Sequence, residues 1–294
     1  MSKKHPVVAV TGSSGAGTSS VKLAMEHILR RDGFKAVFIE GDSFHRYDRR
    51  AMQTAVIEAQ EENRNFSHFS PDANLLAELE ALFRDYGESG TGQRRLYLHD
   101  KEEAAAHGQE PGTFTPWSAI ESGTDLLFYE GLHGGAVTDE VDVARYVDLL
   151  IGVTPIVNLE WIQKIHRDTH QRGYSTEMVT DTILRRMYDY VHYITPQFSR
   201  THINFQRVPT VDTSDPFIAR DIPTLDESFV VIRFGAELKK QMDYTYLLRM
   251  LQDSFMSRPN TIVVPGGKMG FAMEIILQPL IENLVHHGDL GWKR

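Results

Sequence analysis

Short apolar runs recur through the first half of the chain, and most are followed by a segment whose apolar positions return every three or four residues. The first run, "PVVAVTG", predicts a buried strand, and Thr18 to Arg31 a helix behind it. "KAVFIEGD" predicts a second strand, followed by a polar, helix-prone stretch that reaches about Asn63. "PDANLLAELEALFRDYG" sets Pro71 and Asp72 at a helix start and Gly87 at its end, as helix boundary chemistry favours. Residues 88 to 123 are rich in Gly, Pro, His and charge, which predicts a loop or small excursion. "TDLLFYEG" and "VDLLIGVTP" predict a third and a fourth buried strand. Two helices follow, from about Asn158 to Arg172 and from Ser175 to about Tyr193.

The last third has a different rhythm. "INFQRVPTVDT", "SFVVIRF" and "NTIVVPGG" predict strands with fewer helices between them, and "MGFAMEIILQPLIENLV" a closing helix. Alternating strands and helices imply a parallel sheet with both faces covered. The later strands extend that sheet in mixed orientation. No repeat, low-complexity tract or linker interrupts the series. Residues 1–294 therefore read as a single α/β domain: a mixed, mainly parallel sheet, helices on both faces and additional C-terminal strands.

Composition narrows the function. The 294 residues are 41% hydrophobic and 24% charged, the balance of a globular chain with a sizeable core. A net charge of -9 excludes a general phosphate-neutralising surface, so no nucleic-acid partner is expected. Any anionic ligand must meet a local basic cluster. The absence of cysteine excludes disulfides, thiolate catalysis and Cys-ligated zinc. No apolar run approaches the roughly 18 residues of a membrane span. No membrane partner is expected, and the default is a cytoplasmic enzyme.

The candidate chemistry begins at "GSSGAGTSS", between the first strand and its helix. Gly12, Gly15 and Gly17 let the backbone approach a phosphate, and the helix N-terminus behind them offers unpaired N–H groups. Gly12, Ser13, Ser14, Gly15, Ala16, Gly17, Thr18 and Ser19 thus form a candidate nucleotide-phosphate cradle, with Thr18 or Ser19 available to magnesium. The pattern G-x-x-x-x-G-K-[ST] is met except that Thr18 stands where lysine belongs. A plain strand-to-helix turn is the competing reading. Two acids favour the cradle: Glu130 after the apolar run of "LLFYEG", and Asp42 in "EGDSFHR", both at strand ends on the edge where α/β sheets bind ligands. A displaced cation has a candidate source in "NLEWIQKIHRDTHQRG". There Lys164, Arg167, Asp168 and Arg172 share one helical face, opposite Leu159, Ile162 and Ile165. If that segment closes over bound nucleotide, its cations neutralise the transferring phosphoryl group. "VVPGGKM", with Lys268, reads as a helix-entry loop, with an anion site as the alternative. His286 and His287 show no zinc-like pairing, so no structural metal is expected.

Taken together and in order, "GSSGAGTSS", "EGDSFHRYDRR", "FYEGLHGG", "PIVNLEWIQKIHRD" with "RGYS", and "VPTVDTSDPF" resemble the prokaryotic phosphoribulokinases. That family has a P-loop kinase-like fold and also lacks the phosphate-loop lysine. The resemblance implies transfer of the γ-phosphoryl group of ATP, with Mg2+, to the C1 hydroxyl of ribulose 5-phosphate. It implies Asp42 as catalytic base, His45 and Arg49 as sugar-phosphate binders, and Glu130 at magnesium and nucleotide. Lys164 and Asp168 match its catalytic group, and Arg167 and Arg172 its phosphate-binding arginines. It further implies a homo-oligomer under allosteric control by NADH and AMP, with Arg31, Arg233 and Arg258 at the effector site. "FTPW" and "QFSRTHINF" resemble a subgroup from bacteria without a carbon-fixation cycle. The alternatives are a uridine- or pantothenate-kinase-like enzyme, or a nucleotide-dependent switch without turnover. The Asp42, His45 and Arg49 cluster favours an acceptor that already carries a phosphate.

Overall fold

The computed structural model describes residues 5–13, 18–154, 156–170 and 172–291, without the side chains of Thr18 and Ser19. β1 (Val7–Thr11) is apolar apart from Thr11 and buried throughout, as a strand must be when helices cover both faces of its sheet. α1 (Thr18–Asp32) presents Val21, Met25 and Ile28 at helical spacing to that strand's neighbours. β2 (Ala36–Glu40) runs into a 3-10 turn, Gly41–Phe44. α2 (Arg49–Glu61) starts where the Asp48 carboxylate accepts a hydrogen bond from Ala51 N–H. α3 (Leu76–Ser89) follows, then β3 (Gln93–Arg94), α4 (Lys101–Ala106) and β4 (Ser118–Ala119), the two short strands pairing with each other. Next come β5 (Leu126–Gly131), β6 (Leu149–Val153), α5 (Val157–His170), α6 (Thr176–Arg185) and the single turn α7 (Met187–Asp189). β7 (Ile203–Pro209), β8 (Ser228–Phe234), α8 (Ala236–Gln241), α9 (Tyr244–Met250), β9 (Phe255–Arg258), β10 (Thr261–Pro265) and α10 (Met269–His287) complete the described chain.

The large sheet has eight strands among the described residues, in the order β2-β5-β1-β6-β7-β8-β10-β9. β2 through β7 are parallel, and β8, β10 and β9 add antiparallel pairs. This is the mixed, mainly parallel α/β sheet that the strand and helix rhythm predicts. Val8 and Val10 face a core with Met25 and Ile28 of α1 and Ile276 and Leu280 of α10. Val7 and Ala9 face the other layer, with Leu79, Phe83 and Tyr86 of α3. Each such large side chain contributes about 1.5–3 kcal/mol by leaving water.

Three expectations need correction. Pro71 and Asp72 form a separate 3-10 turn rather than the helix start, because Asn74 is extended and bridges to His45. α3 begins at Leu76 and is capped after Ser89 by Gly90, whose φ of 71° a residue with a side chain would resist; Gly87 lies buried inside it. The helix expected from Ser175 to Tyr193 breaks at Arg186, and its last part, Tyr190–Ile194, is a π turn. The C-terminal third also holds α8, α9 and β9, which the pattern did not reveal.

Gln197 fastens the strand ends together. Its Oε1 accepts from Thr11 Oγ1 at 2.8 Å and from Gly135 N–H at 3.0 Å, while its Nε2 donates to the Leu132 and Tyr193 carbonyls at 2.9 and 2.8 Å. It is buried, so Gln197→Leu strands several polar groups out of water, at about 1–3 kcal/mol each. The expected outcome is a melting midpoint several degrees lower; an unchanged midpoint in a thermal melt contradicts this.

Candidate active site

Strand register brings the candidate acids to one edge. Glu40 lies opposite Glu130, and Val10 opposite both Glu130 and Ile151, so β2, β5, β1 and β6 end at one level. Two glycines let β2 and β5 close up there. A Cβ on Gly41 would stand 2.8 Å from Gly131 Cα, and one on Gly131 2.7 Å from Gly41 Cα. Asp42 follows one of these glycines and Glu130 precedes the other. Gly12 N–H donates to Gly131 O at 3.3 Å, tying the start of the candidate cradle to the same point. Ser13 is buried. Ser14, Gly15, Ala16 and Gly17, and the side chains of Thr18 and Ser19, lie outside the described residues. Lys22, on α1, bonds Glu40 at 2.8 Å and feels the charge of Glu130.

Asp42 sits in the 3-10 turn after β2, with 44% of its side chain open. Its Oδ1 lies 3.2 Å from His45 Nε2, and its Oδ2 3.9 Å from His99 Nε2. Withdrawal from water alone would raise the Asp42 pKa. The hydrogen bond and charge of His45, with His99 and His68, override this and hold the carboxyl well below the usual carboxylate range. Burial likewise opposes charge on His45, yet Asp42 and then Asn74 outweigh it and raise that pKa. His68 packs against His45 with ring centroids 4.3 Å apart. Burial first, and then the charge on His45, push His68 down to about 3. His133, buried beside them, falls to about 4 for the same leading reason.

The α5 face does gather around Asp168. Lys164 Nζ donates to Asp168 Oδ2, Arg167 Nε to Oδ1 at 3.1 Å and Arg172 to Oδ1 at 3.3 Å. Leu159, Ile162 and Ile165 dock the opposite stripe, as expected. The surprise is depth: Lys164 is 8% exposed and Asp168 4%, so this part of the charged face turns inward. Burial, then repulsion from Arg186, brings the Lys164 ammonium down to about 8 against the pull of Asp168. The charge of Lys164 is felt by His68 on the Asp42 side and by Glu160, a buried carboxyl of α5.

Arg186 had no role in the sequence reading. It sits over the Phe69 ring at 4.7 Å, and burial lowers its pKa to about 10, so it remains a cation at neutral pH. The excursion between α3 and β5 was also missed as a source of site residues. It contributes His99, already noted, and Arg95, which donates to the Ser43 and His45 carbonyls at 2.8 and 2.5 Å and lies over Phe114 at 3.7 Å. Arg49, exposed at the head of α2, donates to the His99 carbonyl at 2.7 Å. The "FTPW" segment therefore holds Arg95 against the Asp42 turn; alternation of charge and aromatics in that stretch was the available signal.

Of the three candidate effector arginines, Arg233 and Arg258 sit level with each other on either side of Thr261 in β10, and Arg31 lies apart from both. Arg31 binds Gln278 of α10 on one sheet face. Ile232 and Phe234 face that same helical layer, so Arg233 between them points to the other face and bonds the Phe198 carbonyl at 3.2 Å. Arg258 lies on the edge strand β9, opposite Thr261. Lys268 bonds the Gln252 carbonyl and Asp253, which supports the helix-entry reading of its glycine turn. Among the described residues no cluster of His, Asp and Glu fits a metal ion by itself, and no helix is long and apolar enough to cross a membrane.

Residues 7–214 match the family model described as the phosphoribulokinase / uridine kinase family. The chain is 65% identical over 282 residues to the plasmid phosphoribulokinase of Cupriavidus necator, covering 96% of each chain. It is 58% identical over 285 residues to a probable phosphoribulokinase of Escherichia coli, covering 97% of this chain and 98% of the relative. A solved phosphoribulokinase from Rhodobacter spheroides superposes with a TM-score of 0.89 at 55% identity, covering 98% of this chain and 99% of the other. With this sheet, this acidic edge and this extent of likeness, the chain belongs to the phosphoribulokinase / uridine kinase family.

Proposed function

We propose that this chain transfers the γ-phosphoryl group of ATP to the C1 hydroxyl of ribulose 5-phosphate, giving ribulose 1,5-bisphosphate. The observation that carries the assignment of roles is the open Asp42 carboxylate clamped by His45, which follows β2 at the strand edge where Glu130 and Gly12 also lie. Steady-state kinetics with ribulose 5-phosphate and Mg-ATP test it, with uridine and pantothenate as competing acceptors. Turnover of either control in preference to the sugar phosphate overturns it.

The residues present suit magnesium-bound nucleotide. Glu130 offers a hard oxygen ligand at the strand edge, and α1 starts at Thr18, so its N-terminal N–H groups follow the cradle directly in the chain. Mg-ATP, when bound, supplies the transferable phosphoryl group and a cation that offsets its negative charge. The cradle residues would hold the phosphates, and Thr18 and Glu130 would hold the metal. Asp42 orients the sugar hydroxyl and accepts its proton late, as phosphoryl transfer proceeds. Lys164 neutralises charge on the transferring group, with Asp168 directing it. Arg167 and Arg172, tethered to the same carboxylate, serve the phosphates of the substrates.

Arg49 offers a planar fork suited to the non-reacting 5-phosphate, while His45, whose ring nitrogens face Asp42 and Asn74, serves the sugar side by holding Asp42 in place. Binding energy from that phosphate serves to position C1. Arg49→Ala is expected to raise KM for ribulose 5-phosphate by about 10-fold or more, the cost of one charge-assisted contact of about 1.5–3 kcal/mol, and to leave KM for ATP nearly unchanged. Kinetics showing the reverse split contradict the assignment.

We extend the proposal to a cytoplasmic homo-oligomer under NADH and AMP control. Because Arg31 and Arg233 lie on opposite sheet faces, an effector pocket using Arg31, Arg233 and Arg258 has to be assembled from more than one copy. Light scattering and rates with and without NADH test both parts together.

A further inference from the structure

Asn74 stands behind the catalytic turn, buried, and had no part in the sequence reading beyond its place in a predicted helix. The residues on either side of it pair with the turn: Leu75 N–H donates to the Phe44 carbonyl at 2.7 Å, and Arg46 N–H to the Ala73 carbonyl at 2.8 Å. Its side chain is held more tightly still. Nδ2 lies 2.9 Å from the His68 carbonyl, 2.7 Å from the Ser70 carbonyl and 3.0 Å from His133 Nε2.

Those partners decide which end of the amide is which. A carbonyl only accepts, so two carbonyls within hydrogen-bond reach require the amide nitrogen to face them. A flipped amide would set oxygen against oxygen twice in a site away from water. Asn74 Oδ1 must then be the atom 2.9 Å from His45 Nδ1. An amide oxygen has no proton to give, so His45 Nδ1 carries one. The other ring nitrogen, Nε2, faces the Asp42 carboxylate at 3.2 Å.

We propose that Asn74 is a positioning residue, keeping the proton on His45 Nδ1 so that Nε2 is always the atom presented to Asp42. With Asp42 ionised, Nε2 is protonated as well and His45 is an imidazolium. The carboxylate then has one oxygen engaged and the other free for the sugar hydroxyl. The proton taken from that hydroxyl stays on Asp42, since the imidazolium has no vacant nitrogen. Without Asn74, the neutral ring can adopt the opposite tautomer or turn over, and Asp42 loses its fixed orientation.

The groups around His45 agree with a single positive charge at this point. Asp42 faces it from its own turn, and His68 from the stretch before α3. His133 follows β5, while Arg95, Tyr97 and His99 lie on the excursion. Arg95 touches the His45 carbonyl rather than its ring. His68 and His133 are both held neutral, chiefly by burial, and so do not compete.

The inference rests on Asp42 as proton acceptor, but its first test does not involve catalysis. In the full chain labelled with 15N-histidine, NMR is expected to show His45 Nδ1 protonated at pH 8, when a free histidine, with its pKa of about 6.5, is neutral. An unprotonated Nδ1 overturns the inference even if Asp42→Ala is inactive. The second test is Asn74→Leu. It is expected to lower kcat by about 10-fold or more, the scale seen when a residue that orients a functional histidine is lost. KM for ATP should stay unchanged, and the pH at which His45 loses its proton should move down, shifting the profile of log kcat, because Asn74 is one of the groups that hold that proton. A folded Asn74→Leu variant with the parent pH profile overturns it, whatever its overall rate. If the variant fails to fold, the NMR result on the parent chain alone decides.

Discussion

Asp42→Ala is expected to lose about 10²–10⁴-fold in kcat, the usual worth of general-base assistance, while still binding ATP. A carboxylate with an ordinary pKa of about 3.9 cannot remove the proton of a sugar alcohol in advance. The environment makes Asp42 a weaker base still, because His45, His99 and His68 favour its ionised form over the burial that opposes it. Its value must lie in orientation and in taking the proton as the hydroxyl oxygen bonds to phosphorus. Truncation also leaves the buried His45 Nε2 without its acceptor, so part of the loss is positional. Asp42→Ala and His45→Ala should accordingly combine less than additively, as members of one unit do. Titration with ATP separates binding from turnover. An unchanged kcat removes Asp42 from the mechanism, and a weakened ATP affinity moves it to the nucleotide side.

The sequence made the parallel strands legible because burial on both faces leaves only apolar residues available, as in Val7 to Val10 and Leu126 to Phe128. It also located Asp42 and Glu130, since a strand's end is local information and the register of β2 on β5 then aligns them. Boundaries were lost where tertiary contacts overrode propensity. The stretch before α3 reads as helical but is extended at Asn74, where its side chain meets His45, His68 and Ser70. The long helix expected through Tyr193 breaks at Arg186, a residue drawn toward Phe69, Glu160 and Asp168. The excursion from β3 to β4 was legible only as a departure from periodicity. Nothing local tells that Arg95 reaches back to Ser43 and His45. Helical spacing predicted the common face of Lys164, Arg167, Asp168 and Arg172, but not which part of it faces inward. That depends on what α5 packs against.

The depth of Lys164 carries the second large effect. Lys164→Met is expected to lower kcat by about 10²–10³-fold, the scale on which one pre-set group stabilising transition-state charge is measured. The loss should exceed that of an exposed lysine because solvent cannot replace the charge at a site this enclosed. Burial and Arg186 lower the Lys164 pKa to about 8, so its charge is present below that pH and lost above it. In the parent enzyme kcat/KM, which reports free-enzyme groups, should therefore fall as pH rises through about 8. The limb in kcat should lie higher, because bound phosphates favour the ammonium form. Lys164→Arg sharpens the test: a guanidinium stays charged well above pH 8 even when buried, as Arg186 does at about 10, so this variant should lose the alkaline limb even where its different geometry lowers the rate. An alkaline limb that survives in Lys164→Arg assigns the titration elsewhere. A Lys164→Met enzyme with parental kcat means that the cation missing at Thr18 is supplied by another group, and Arg186 is then the next to remove.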